Sequence, residues 1–161
     1  MRGHYVSLTD EDEIPALVRE LGARTVIADI EPVVASWDSG QEELDQGIGR
    51  FLDRVGGIEG VAVICFATNS ARMPSALPNR PGIRVEYVAS ARKPLRAAPY
   101  RSMPQPGAVI GDQVATDGML AARIGYTFLH YRPSLRDMPP GPRILFGGGE
   151  ILRPVIFHDR Q

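Results

Sequence analysis

The sequence predicts an α/β protein, a three-layer sandwich of helices around a central parallel sheet, on three observations. Short apolar, β-rich runs recur along the chain, each bounded by turn residues. The segments between them can form helices, and strands alternating with helices give a doubly wound sheet. The first, second and fourth runs are almost wholly apolar, as suits parallel strands covered on both faces.

In chain order, a helix is expected from Glu11 to Leu21, then a strand in Thr25-Val26-Ile27-Ala28-Asp29-Ile30. A second helix spans Glu42 to Val55, a second strand Val61 to Ala67, and a third strand Ile83 to Val88. A weak helical turn around Arg96 to Met103 leads to the strand Ala108-Val109-Ile110, a helix from Asp117 to Ile124, and the strand Tyr126 to His130. The cluster Pro139-Pro140-Gly141-Pro142 divides a core domain, 1–138, from an appendage, 139–161, whose apolar runs pack on the core or on a partner.

At 161 residues the chain holds one sizeable core but not two. With a net charge of -1 and a pI near 6.3 there is no overall basic field to hold nucleic acid, so any phosphate recognition is local. No apolar leader and no spanning run of roughly 18 apolar residues is evident, so a soluble cytoplasmic protein is expected. The sole cysteine, Cys65, lies in an apolar run and reads as a buried inert thiol.

Ligands of open α/β sheets bind beyond the carboxyl ends of the strands, so the residues where each apolar run stops are the informative ones. The first run stops at Asp29-Ile30-Glu31, the second at Thr68-Asn69-Ser70, and the fourth at Gly111-Asp112 with Thr116-Asp117 behind it. Lys93 follows the third run in Ala91-Arg92-Lys93-Pro94. Four carboxylates around one lysine repel one another unless a divalent cation joins them, and hard oxygen donors with open positions suit Mg²⁺. Phosphoryl transfer to an aspartate needs that set, because the metal, the lysine and hydroxyl or amide donors neutralise the equatorial oxygens.

The order Asp-x-acid, Thr-Asn, Lys-Pro and Gly-Asp-x-x-x-x-Asp resembles the four motifs of the haloacid dehalogenase (HAD) superfamily. It is most similar to the small subgroup IIIA phosphatases, which include phosphatidylglycerophosphate phosphatases. The likeness runs from about Glu13 to Pro133, with Trp37-Asp38 matching a Trp-Asp beyond the first motif. It implies a Rossmann-like fold without a large cap domain and Mg²⁺ as cofactor. Asp29 is then the nucleophile and a metal ligand. Glu31 is the acid/base and offers its carbonyl to the metal. Thr68 and Asn69 bind phosphate, Lys93 holds both phosphate and nucleophile, and Asp112 and Asp117 serve the metal. A phosphorylated small molecule or lipid headgroup is the implied substrate, and the apolar C-terminal segment makes a homodimer reasonable.

The chain departs from that pattern at Glu31-Pro32-Val33, where the family has Asp and then Asn-Thr or Gly-Thr. Glutamate is one methylene longer, and a misplacement of about 1 Å can cost on the order of 10²-fold in rate. A binding protein without turnover and a phosphotransferase are therefore the alternative expectations. Asp38, Asp45 and Asp53 read as surface charges. His4, His130 and His158 lack metal-ligand spacing, Ser70 lacks a nucleophile elbow, and Gly147-Gly148-Gly149 reads as a turn rather than a phosphate loop.

Overall fold

The computed structural model describes residues 3–132, 144, 151 and 153–159. Its strands are β1 (Gly3–Leu8), β2 (Thr25–Ala28), β3 (Val63–Ala67), β4 (Arg84–Val88), β5 (Gly107–Gly111), β6 (Thr127–Tyr131) and β7 (Phe157–Asp159). Its α-helices are α1 (Ile14–Glu20), α2 (Gln41–Val55) and α3 (Met119–Ile124). The strands form one sheet in the order β4-β3-β2-β5-β6-β1-β7, and every neighbouring pair is parallel.

The period of two in β2 separates two cores. Val26 and Ala28 pack with Ile14 and Val18 of α1 and with Leu44, Ile48, Phe51, Leu52 and Val55 of α2. Ile27 faces the other way, toward Tyr100, Met103 and the α3 residues Leu120, Ala121 and Ile124. Helices therefore cover both faces, and the expected three-layer architecture is the one observed. The connections that follow β2 and β3 insert no further domain among the described residues. None of the described helices is long and apolar enough to cross a membrane.

The five anticipated runs become β2 to β6 with ends shifted by a few residues. Two strands were not anticipated. In β1, His4 and Ser7 interrupt an apolar run, and the strand gains its place by pairing with β6 from Leu8↔Tyr131 back to His4↔Thr127. Three-residue β7 lies within the segment assigned to the appendage and pairs with β1. The Pro139 to Pro142 boundary and Gly147 to Gly149 lie outside the described residues.

The first expected helix divides in two: a 3₁₀ turn, Glu11–Glu13, precedes α1 and is closed by a reciprocal Asp10–Glu13 capping box. The turn expected around Arg96 to Met103 contracts to Ala98–Tyr100. The last expected helix begins earlier, as a widened π-type turn, Val114–Gly118, that runs into α3.

β2 lies between β3 and β5, the point where successive connections leave in opposite directions along the sheet. Strand ends splay there and open a crevice, and Asp29, Thr68 and Asp112 all stand at its rim.

Helix α2 approaches the β2–α2 connection so closely that a Cβ on Gly47 would lie 2.2 Å from the carbonyl oxygen of Val34. Alanine in an open helix interior stabilises by about 1 kcal/mol relative to glycine. Here the neighbour is backbone, and overpacking costs about 1–3 kcal/mol, so Gly47→Ala is expected to lower the urea midpoint. A raised midpoint would contradict this packing.

Candidate functional site

Asp29 directly follows β2, and its amide still donates to the Ile110 carbonyl of β5 at 2.8 Å, which fixes its backbone at the switch point. Asp112 is the first residue beyond β5. Asp117 arrives by the π-type turn, in which the amides of Thr116, Asp117 and Gly118 all donate to the Gln113 carbonyl. That turn lays the Asp117 carboxylate against Gly111, where a Cβ would stand 2.3 Å from Oδ2. The glycine of the Gly-Asp pair is thus required by the acid six residues on. One oxygen from each of Asp29, Asp112 and Asp117 lies within 4.8 Å of the others, and all three residues are buried.

Lys93 is the only lysine in the chain. Its side chain is 2% exposed, and its Nζ donates to Asp29 Oδ1 at 2.8 Å, Asp117 Oδ1 at 2.6 Å and the Ala67 carbonyl at 2.7 Å. An ammonium has three protons, and all three are engaged. Asn69 holds the lysine's backbone from both sides: Lys93 N donates to Asn69 Oδ1 at 2.7 Å, and Asn69 Nδ2 donates to Lys93 O at 3.2 Å.

Asp112 receives nothing from this network. Both of its carboxylate oxygens are buried without a hydrogen-bond partner among the described residues. Burial, reinforced by the charge of Asp117, pushes its carboxyl up to about 8. Burial likewise raises Asp29 well above the usual carboxylate range, with Asp117 adding to the effect and Lys93 only partly opposing it. Desolvation works against the charge of Lys93, but Asp117 and Asp29 outweigh it and hold the ammonium protonated. One cation therefore faces three acids, and the pocket lacks the positive charge needed to ionise them all. A divalent cation fits the deficit, because the donors are all hard oxygens within reach of one ion and one carboxylate is otherwise unpartnered.

The opposite wall is held by a second network. Thr68 Oγ1 donates to Glu31 Oε2 at 2.9 Å and lies 3.0 Å from Ser70 Oγ. Arg72 Nη1 reaches Glu31 Oε1 at 3.2 Å. The same guanidinium also donates to the Ser36, Ser39 and Gly40 carbonyls and to Ser39 Oγ, which fastens the β2–α2 connection. Between the walls lies a cavity of about 330 Å³, bordered by Asp29, Glu31, Trp37, Thr68, Asn69 and Lys93 among others.

All seven residues named from the sequence stand at this end of the sheet, but not in one cluster. Asp29, Lys93, Asp112 and Asp117 form the buried charged centre. The Glu31 carboxylate is not among the three clustered acids and is bonded to Thr68 and Arg72. Neither Asp112 nor Asp117 caps a helix; the residue at the start of the turn, Gln113, makes no side-chain cap. Asp38 and Asp53 are exposed, and Asp45 is half-buried and accepts from the Ser75 amide at 2.9 Å. Cys65 is buried, and burial pushes its thiol up to about 12.

Two contributors escaped sequence reasoning. Arg72 sits in an irregular loop without a motif. His130 is buried, with Nδ1 2.7 Å from Tyr5 Oη and Nε2 2.9 Å from the Asp112 carbonyl. A carbonyl only accepts, so Nε2 carries the proton, and in the neutral ring Nδ1 accepts from Tyr5. His130 closes the fifth apolar run, so the strand-end rule applied there too would have flagged it. No protein-family model, curated protein or solved structure compared with the chain matches it.

Asp112→Asn removes the unpartnered charge with little change of shape. The folded carboxyl, at about 8, lies above the unfolded value of about 3.9. The folded state therefore binds more protons between these values, and the stability of the metal-free protein falls as pH rises from about 4 to about 8. At pH 8 the metal-free variant is expected to be more stable than wild type by about 1–3 kcal/mol, with a flatter pH profile in chemical denaturation and a weakened thermal shift on adding Mg²⁺. A variant less stable at pH 8, with an equally steep profile, would contradict the charge deficit.

Proposed function

We propose that the chain is a Mg²⁺-dependent phosphomonoester hydrolase of the HAD type, acting through an aspartyl-phosphate on Asp29. The observation that carries this reading is the convergence of Asp29, Asp112 and Asp117 within common reach of one ion, with the Lys93 ammonium engaged by Asp29 and Asp117, Asp112 left without a hydrogen-bond partner among the described residues, and Asp29 and Lys93 bordering an open cavity.

Asp29 Oδ1 is held by Lys93 and by the Ile30 amide at 2.9 Å. Oδ2 accepts no hydrogen bond from the described residues and is the attacking atom. It bonds to phosphorus as the bond from phosphorus to the leaving oxygen breaks. Thr68, released from Glu31, donates to a phosphoryl oxygen together with the backbone beside Asn69. A bound divalent cation supplies charge neutralisation for the phosphoryl group and for the three acids. Glu31 gives a proton to the leaving oxygen. It then takes one from the water that attacks phosphorus as the bond from Asp29 Oδ2 breaks, a role worth about 10²- to 10⁴-fold.

The substrate class follows from access. Trp37 borders both the site cavity and a larger groove of about 840 Å³ that runs past Pro32, Phe51 and Tyr131. A phosphorylated molecule with a bulky leaving group, including a lipid headgroup, fits an uncapped site of this kind.

One observation favours a second reading. Glu31 is engaged by Arg72 and Thr68 together, and Arg72 is itself bound to four other acceptors. A carboxylate so fastened suits a protein that binds a phosphorylated ligand without turnover, or one that passes the phosphoryl group to an acceptor other than water.

Metal-dependent hydrolysis of a generic aryl phosphate separates the readings. Asp29→Asn is expected to abolish it, and undiminished turnover would exclude Asp29 as the nucleophile. Wild-type activity comparable with that of Glu31→Asp supports the hydrolase, whereas activity confined to Glu31→Asp supports the binding protein.

A further inference from the structure

Beyond Lys93 the chain gathers cations on the surface. Arg92, Arg96 and Arg101, joined by Arg123 of α3, line a cavity of about 470 Å³ with the exposed Leu95 at its wall. No carboxylate lines it, although the chain as a whole carries a net charge of -1. Elsewhere Arg54, Arg72, Arg80 and Arg84 each meet an acid, whereas here four guanidinium groups line one cavity with no acid among them. None of the four cavity arginines forms an ion pair among the described residues.

Arg123 has a structural duty as well, donating from Nη1 to the Pro94 carbonyl at 2.6 Å and the Leu95 carbonyl at 3.2 Å. It therefore pins the loop that carries Arg92 and Arg96. The Arg96 amide donates to the Arg92 carbonyl at 3.1 Å, so these two are held one turn apart. Adjacent residues divide the work: Lys93 is buried among acids while Arg92 is exposed at the cavity.

Four guanidinium groups around one cavity, with no acid between them, repel one another and are stabilised by a multivalent anion. The planar fork of arginine matches phosphate oxygens in pairs. We propose that this cavity is a binding site for a ligand carrying two or more phosphate groups, whether soluble or presented by lipid headgroups. It shares no lining residue with the cavity at Asp29, and the proposal stands independently of the hydrolase reading.

The test uses the full metal-free chain and two probes: sodium tripolyphosphate in calorimetric titration, and co-sedimentation with phosphatidylcholine vesicles with and without phosphatidylglycerol. The variant Arg96→Gln/Arg101→Gln alters two exposed side chains that form no ion pair, and an unchanged thermal melt verifies its fold. The control Arg19→Gln/Arg24→Gln makes the same change in net charge elsewhere. Wild type and control are expected to bind at least one probe, and the cavity variant to bind it about tenfold or more weakly, since each lost bond between charged groups weakens binding by about that factor. Asp29→Asn is expected to bind like wild type, which separates this cavity from the acid cluster.

Binding of tripolyphosphate alone assigns a soluble ligand. Sedimentation only with phosphatidylglycerol, weakened also by Leu95→Ser, assigns lipid headgroups. Binding of neither probe, or equal loss in the cavity variant and the charge control, overturns the proposal.

Discussion

The ammonium of Lys93 is the interaction around which this end of the molecule is organised. It ties together the residue after β2, the last carbonyl of β3 and the turn after β5 through Asp29, Ala67 and Asp117. Because every proton is engaged, nothing remains for Asp112, and the deficit of positive charge follows directly. The identity of the residue matters. The chain has 18 basic side chains and a single lysine among them, and that lysine stands where three acceptors surround one nitrogen. A planar guanidinium cannot direct three donors from one atom, whereas an ammonium can. Arginine serves where its fork is useful, as in Arg72, which spans Glu31 and the β2–α2 connection.

Much of the fold was legible in the sequence because the buried parallel strands carry their signal locally. Runs such as Val61 to Ala67 have no polar face, and the residue that ends each run marks the crevice. That rule gave Asp29, Thr68 and Asp112, and the Lys-Pro pair gave Lys93. Less was legible where the determinant is distant in the chain. β1 is a short run broken by His4 and Ser7 that takes its place through pairing with β6 and β7. The partner of His130 is Tyr5, 125 residues away, and no local pattern connects them. Arg72 occupies an irregular loop whose value lies wholly in what it reaches.

The departure at Glu31-Pro32-Val33 acquires a physical account from packing. Val33, Val34 and Ala35 are buried in the core shared by α1 and α2, and the Val34 carbonyl presses on Gly47. A hydroxyl at position 33 would enter an apolar core, where an unbonded polar group is costly. The sequence after Asp29 is thus governed by packing toward α2 as well as by chemistry toward the crevice.

This dual constraint bears on Glu31, which stands between the two demands. Its backbone leads into the packed connection, and its carboxylate is held by Arg72, whose other bonds fasten that same connection at Ser36, Ser39 and Gly40. Freeing the Glu31 carboxylate means breaking its bonds to Arg72 and Thr68. The buried acids and their lysine are fixed by the sheet, while Glu31 is held by side-chain bonds at the cavity edge. The sheet therefore fixes the acid cluster, and Arg72 fixes Glu31, the only other carboxylate among the described residues that border the cavity.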